Sequence, residues 1–484
     1  MSTIVNILAR RKVHYILKDK WASKQRITPF SPLINIGNKV TMATSANDFD
    51  LKQGILDIET PRGQHLRGVY KKSFAYHTFR HRIPNILDSL LDSMKKDLSG
   101  STYSQDDITQ VLTSIEKLKD SIANNGPLEN FQPNEHDNDI ELWNKFLSTL
   151  PADASFYNIC WLYAECYLYR RVYSYFRSSN SLREYDYFSP QKMHALHISI
   201  GAMVELIRNT KTLGNNFESF SHMLKLNLWG NKCDLSLSTG QDVKPLDNLN
   251  KLVDSLNGNI LTDDCVHIWN CIQSGMAQQQ KTQKRCVDFV CDNAGFELFT
   301  DLLLGKYLIE HNLTDMVRFH VKTMPWFVSD TTPPDVQNAL KYMENHATAD
   351  LSDFGKQCLG YFNNGIFEIE ARESFWTTPY EFYRMNDIAP GLYQLLSTSL
   401  LIIFKGDLNY RKLLGDFNWD PTENFQKCLR GFNPSNLCTL RTVKADLICG
   451  LKPGLAEELT SKTNDWMLTG EYAVIQFAKG AKEN

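Results

Sequence analysis

The chain lacks the cysteine spacings that would mark a disulfide framework or a zinc site. Eleven of its 484 residues are cysteine, yet there is no CxxC, and pairs such as Cys286/Cys291 and Cys265/Cys271 do not have zinc-knuckle geometry. Reduced thiols in a cytoplasmic or nuclear protein are the expectation. No apolar run approaches the ~20 residues needed to cross a bilayer; the longest, Leu395 to Phe404, is interrupted by Ser397, Thr398 and Ser399. A formal net charge of −3 with 22% charged residues gives no reason to expect nucleic acid or an anionic membrane as partner. Several signatures are missing as well: no GxxxxGK[ST], no GxSxG, no HExxH and no GxGxxG, nor the glycine-rich loop usual in Rossmann-type methyltransferases.

What is present divides unevenly. Residues 1–41 hold eight Lys/Arg against one acid, Asp19. That bias suits a mitochondrial transit peptide, a basic extension, or a stretch upstream of a start at Met42. Residues 1–60 are read as this extension and 61–264 as a mainly helical N-terminal subdomain. Ile83, Ile86, Leu87, Leu90, Leu91 and Met94 recur at helical spacing, and Phe156 to Phe176 carries a second, aromatic-rich helix. Residues 209–264, rich in Asn, Gly, Ser and Asp, read as a long excursion broken by Leu228-Trp-Gly-Asn231.

Across 265–484 the pattern changes to strands alternating with helices, which predicts an α/β region with a mostly parallel sheet. Apolar runs end at Asp292-Asn293, before Asp330, at Lys405-Gly-Asp-Leu-Asn409 and near Arg441-Thr-Val-Lys444. Ligands gather beyond the carboxyl ends of such strands. Asp292, Asn293 and Asp330 offer hard oxygen ligands suited to Mg²⁺ or Mn²⁺. Each is also an ordinary turn former. Lys405 and Gly406 open a segment whose glycine lets backbone N–H groups approach an anion, with a helix start behind it. Asp407 is a general acid or base, or a cap. Lys444 is a second cation for the ligand, or a solvated lysine.

With these residues in view, the chain resembles the damage-control phosphatase family, once catalogued as a domain of unknown function. The likeness is to its subfamily III, described both as sugar-phosphate phosphatases and as acidic-residue (protein-glutamate) methyltransferases. It is carried by Arg82-Ile-Pro84, Trp161-Leu-Tyr-Ala-Glu-Cys-Tyr167, Leu228-Trp-Gly-Asn231, Asp292-Asn-Ala-Gly-Phe-Glu297, Lys405-Gly-Asp-Leu-Asn-Tyr-Arg411 and the RTxK signature Arg441-Thr-Val-Lys444. The resemblance implies a three-layer α/β/α core with a helical N-terminal subdomain. It implies one divalent cation (Mn²⁺, Co²⁺, Ni²⁺ or Mg²⁺) on Asp292, Asn293 and Asp330. Phosphorylated substrate would contact Asp292, Asn293, Lys405, Gly406, Asp407, Leu408, Asn409 and Lys444. The implied substrates are small sugar phosphates, fructose 1-phosphate and fructose 6-phosphate among them. The methyltransferase description associates Glu297 and Asp330 with contact to S-adenosylmethionine. Metal-dependent phosphatase, carboxyl methyltransferase and non-catalytic binding protein stay open on sequence.

Overall fold

The computed structural model describes residues 49–134, 136–238, 255–277 and 284–480. The basic segment 1–41 and residues 239–254 of the expected excursion lie outside them. Of the residues before Leu56, a short helical turn at 49–52 is described. The sheet and the helices around it belong to the unit Leu56–Asn484.

Seven strands form one sheet: β1 (Ile260–Asp263), β2 (Cys286–Val290), β3 (Met316–His320), β4 (Phe367–Glu370), β5 (Leu401–Lys405), β6 (Leu437–Thr442) and β7 (Ala473–Ala478). Their order is β1-β7-β6-β5-β2-β3-β4. β6, β5, β2, β3 and β4 run parallel, β7 is antiparallel to β6, and β1 is parallel to β7. The α/β class with a mostly parallel sheet is therefore as expected. From β2 the chain steps to β3 on one side, whereas β5 lies on the other. The order reverses at β2/β5, and loops leaving the two strands part there to leave a crevice. Right-handed crossovers in opposite directions place helices on opposite faces.

Strand alternation sorts the core. Val287, Phe289, Val317, Phe319, Leu401, Ile403, Cys438 and Leu440 join one buried cluster with the helices on that face. The fully buried β2 reads as a near-continuous apolar run because both faces are covered. Its one acid, Asp288, is held by Arg318 (3.2 Å), His320 (2.7 Å) and the Ser399 hydroxyl.

Five helices position the site. α1 (Ile83–Asp97) buries Ile83, Leu87, Leu90, Leu91 and Met94, with Pro84 in its first turn, where a missing N–H costs nothing. α2 (Trp161–Arg177) buries Trp161, Leu162, Cys166 and Tyr169. α3 (Phe217–Ser238) occupies part of the segment expected to be an excursion. Its Asn, Gly and Ser content weakens intrinsic helicity, but Phe220, Met223, Leu224, Leu228 and Trp229 are buried in the core cluster, and tertiary packing decides. Gly230 sits against α4 (Phe296–Glu310), where a Cβ would meet Thr300 Oγ1 at 2.7 Å. α5 (Gly406–Leu414) follows β5.

Among the described side chains ten cysteines are free, nine of them buried. Burial pushes up the thiols of Cys160, Cys166, Cys265, Cys271, Cys286, Cys291, Cys358 and Cys438, and that of Cys428 is pushed up by its hydrogen bond with Cys449 and by burial. A thiol raised in the folded state contributes stability that is complete below its unfolded pKa and is lost as pH rises. Each contributes a slope of about 1.4 kcal/mol per pH unit once the unfolded thiol ionises, near pH ~8.5. Lys412, lowered to about 8 by burial, and Lys444, also lowered by burial, work in the opposite sense between their folded and unfolded values, two groups against nine. Denaturation midpoints measured at pH 8, 9 and 10 should fall steeply above pH ~9. A flat profile would mean the thiols are solvated.

Candidate active site

The residues after β2 and β3 meet. Asp292 accepts a hydrogen bond at its carbonyl from Thr331 N–H (2.8 Å), and Ala294 N–H donates to Ser329 O (2.8 Å). Between them Asn293 and Asp330 form an isolated antiparallel bridge. The turn before Asp330 is strained: Phe327 (φ +43°) and the β-branched Val328 (φ +71°) both occupy left-handed backbone. Phe327 is held there by stacking on Tyr169 at 4.4 Å. The turn delivers the Ser329 hydroxyl to Asn293 Oδ1 at 2.5 Å.

Asp292, Glu297 and Asp330 are buried close together. Burial, then Glu297 and Asp330, push the Asp292 carboxyl well above the usual range, against Lys322 and Lys444. Asp330 is raised by burial despite Lys322 beside it. Glu297 goes the other way: burial opposes its charge, but Lys405 and the amides of Asn231 and Asn293 outweigh that and hold it low. Lys322 Nζ lies 3.2 Å from Asp330 Oδ2 yet is not aligned for a hydrogen bond, so this buried oxygen has no donor directed at it among the described residues.

Asn231, on α3, links the groups. Its Nδ2 donates to Asp292 Oδ2 (3.1 Å) and Glu297 Oε2 (2.7 Å), and its Oδ1 accepts from Thr442 (3.1 Å) and from the Lys444 ammonium. The RTxK segment thereby acquires a physical reading. Arg441 binds Asp407 (2.7 Å) and the carbonyls of Leu447 and Ala445, which fixes the loop. Thr442 and Lys444 then converge on Asn231. Burial lowers the Lys444 pKa, against the attraction of Asp292, Glu297 and Asp407.

A cavity of about 360 Å³ opens over these groups, lined by Asp292, Asn293, Asp330, Asp407, Leu408 and Lys444 among others. Three expected substrate contacts stand elsewhere. Lys405 ends β5 on the same face as Leu401 and Ile403, so alternation turns it away from the cavity and under α4. There its ammonium meets Glu297 (3.0 Å) and Asp301 (2.7 Å), which lie one helical turn apart. Gly406 (φ +78°) is a floor: a Cβ there would lie 1.9 Å from Asp292 Oδ2. Asn409 braces the carbonyls of Lys405 (2.7 Å) and Val290 (3.2 Å). Conversely, the cavity includes Arg82, Trp161, Glu165, Lys192, Asn231 and Arg411, to which sequence reading gave no role. A signal existed for one of them: Glu165 is an acid inside an otherwise apolar helical stretch.

Among the described residues no three His, Cys, Asp or Glu side chains converge as a metal cage. The candidate set is two carboxylates and an amide, and it fits a hard cation on two grounds. Asp330 Oδ2 is buried without a hydrogen-bond donor, and the mutual repulsion of Asp292, Glu297 and Asp330 is what a divalent charge would relieve. Asn293 now turns Nδ2 to Asp292 (3.0 Å) and Glu297 (2.8 Å). Flipping the amide would present Oδ1 there, and the Ser329 hydroxyl can accept as well as donate.

Sheet and cavity together define an α/β protein with a crevice lined by carboxylates and a lysine at its strand-order reversal. A family model described as the damage-control phosphatase ARMT1-like domain matches residues 78–459. Curated proteins named damage-control phosphatase ARMT1 align over most of the chain. The Danio rerio protein is 35% identical over 447 residues, covering 87% of this chain and 98% of its own. The Xenopus tropicalis protein is 36% identical, covering 85% and 98%, and the Homo sapiens protein 33%, covering 85% and 98%. A solved DUF89 family protein from Pyrococcus horikoshii covers 80% of this chain and 95% of its own at TM-score 0.40 and 15% identity, a likeness too distant to bear on function. The chain belongs to the damage-control phosphatase ARMT1-like family.

Proposed function

We propose that the cavity is the active site of a divalent-metal-dependent phosphomonoester hydrolase acting on small sugar phosphates, fructose 1-phosphate and fructose 6-phosphate among them. The observation that carries this reading is the buried pair Asp292/Asp330, with an undirected carboxylate oxygen, beside the Lys444 ammonium in one cavity. Asp292, Asn293 and Asp330 would hold Mn²⁺, Co²⁺, Ni²⁺ or Mg²⁺, which supplies charge neutralisation at phosphate oxygens and lowers the pKa of bound water.

The chain's own groups do the rest. Lys444, oriented by Asn231, grips the phosphate, and the first-turn N–H groups of α5, free of intrahelical acceptors, face developing negative charge. Asp407 is engaged by Arg441 and shapes the Lys444 loop. Lys405 acts indirectly: it keeps Glu297 ionised, and Glu297 in turn holds the amide of Asn231.

The test is phosphate release by chelator-treated protein from fructose 1-phosphate, with and without added Mn²⁺. Metal-dependent release is expected, unaffected by S-adenosylmethionine. Saturable S-adenosylmethionine binding with methyl transfer to protein carboxylates, and no phosphate release, would reverse the reading. Lys444→Ala should raise KM about tenfold or more and lower kcat less, because the ammonium grips ground and transition states alike. An unchanged KM would remove Lys444 from the substrate.

A further inference from the structure

Part of the cavity wall is not used by phosphate or metal. It is built on α2, whose Trp161 and Glu165 lie one turn apart and are 1% and 2% exposed. Five buried indole N–H groups lack an acceptor among the described residues (Trp143, Trp161, Trp229, Trp326 and Trp376), and of these Trp161 lines this cavity. One face of its ring is covered by Arg411, whose guanidinium carbon is 3.5 Å from the centroid. Arg411 donates to Glu165 Oε2 (2.5 Å) and to both oxygens of Asp416 (2.7 and 2.8 Å).

Charge sorts the cavity. Two carboxylates face one guanidinium on the α2 side, so that wall has no positive charge to spare for a phosphate. The available cations are elsewhere: Lys444, and Arg82, whose exposed guanidinium has no hydrogen-bond or ion-pair partner among the described residues. A phosphomonoester entering this cavity is therefore turned with its phosphate toward Lys444 and Arg82 and its organic part toward Trp161 and Glu165. That organic part meets the Trp161 ring and a carboxylate with accepting capacity beyond one Arg411 hydrogen bond.

We propose that Glu165 is the specificity-determining residue of this site: its carboxylate accepts from hydroxyl groups on the leaving-group side of a polyhydroxylated phosphomonoester, beside the Trp161 ring. The proposal rests on the phosphatase reading above and assigns the wall that reads the alcohol. A buried carboxylate whose remaining lone pairs gain a donor only from the right ligand disfavours every ligand without a hydroxyl. Sites built to bond a hydroxyl discriminate strongly against analogues that lack it.

The decisive measurement is kcat/KM with Mn²⁺ for fructose 1-phosphate and for n-hexyl phosphate, which has the same carbon count and no hydroxyls. Wild-type protein should prefer the sugar phosphate by about 100-fold or more. Glu165→Gln should cut kcat/KM for the sugar phosphate by about tenfold or more, and reduce the preference ratio by at least about fivefold. Equal wild-type rates on both substrates, or a variant that loses both activities in the same proportion, overturn the proposal while leaving the phosphatase reading intact. No phosphate from either substrate overturns both. If Glu165→Gln does not fold, the wild-type ratio decides.

Discussion

Asp292→Asn should abolish phosphate release, by about 10³-fold or more, and at the same time make the metal-free protein more stable. Both effects come from one carboxylate. Its charge is the part a cation would need, so its loss removes several kcal/mol of transition-state stabilisation. The same charge is costly without the cation, because burial, Glu297 and Asp330 all oppose it. The sign follows from linkage. A carboxyl raised in the folded state contributes stability that is complete below its unfolded pKa of ~3.9 and is lost as pH rises through the folded value. Asparagine does not ionise and removes that loss, while its side-chain oxygen can still accept from Asn231. The variant's gain in melting temperature should thus be absent near pH 3.5 and grow as pH rises toward 7. Added Mn²⁺ should raise the wild-type melting temperature and leave the variant's unchanged. A variant less stable than wild type at pH 7 in chelator would show that the carboxylates do not repel one another.

Gly406→Ala should be nearly as damaging without removing any charged group. The new methyl would lie 1.9 Å from Asp292 Oδ2 and 2.2 Å from its Cγ, contacts that no Cβ makes, and φ is +78°. The backbone conformation alone costs about 1–2 kcal/mol for a residue with a Cβ. The clash then displaces Asp292 from Asn231, and a shift near 1 Å at a reacting centre costs about 10²-fold in rate. The expectation is a loss of about 10²- to 10³-fold in kcat, together with a weaker response of melting temperature to Mn²⁺. Gly391→Ala is the control: it is helical, without a positive φ, and its Cβ would meet nothing within 4 Å. It should be neutral or slightly stabilising. Equal behaviour of the two variants would mean that Asp292 is free to move.

Much of the sheet was legible from sequence. β2, β3, β5 and β6 lie within two residues of the apolar runs that announce them, because strands buried on both faces need continuous apolar sequence. β1, β4 and β7 were not read. β1 and β4 are four-residue edge strands, partly exposed. β7 pairs antiparallel with β6 across a connection of thirty residues, Val443 to Tyr472, so no hairpin turn marks it. In the site, the strand-end rule brought Asp292, Asn293 and Asp330 together, and these do meet. It failed for Lys405 because the last residue of a strand still obeys the alternation of the strand. Leu401 and Ile403 fixed its direction, and the carboxylates waiting for it on α4 are invisible without the fold. Asn231 was hidden for a similar reason: a polar residue one turn beyond Leu228 in α3 has a role only once α3 lies on α4.

The strand order also bears on how the protein is made. β2 takes β5 as a neighbour across more than a hundred residues, and β1 pairs Ile260 with Ala473. As the chain leaves the ribosome, β2 and β3 can pair early, but the other edge of β2 has no partner until Leu401–Lys405 has emerged. Lys444 and β7 follow later still. The nascent chain thus carries an apolar, hydrogen-bond-hungry strand edge through a long interval of synthesis, the condition that favours aggregation and recruits holding chaperones. Non-local pairing of this kind makes refolding slow. The crevice is among the last features to form, and a chain halted before residue 444 would contain both aspartates and no Lys444 beside them.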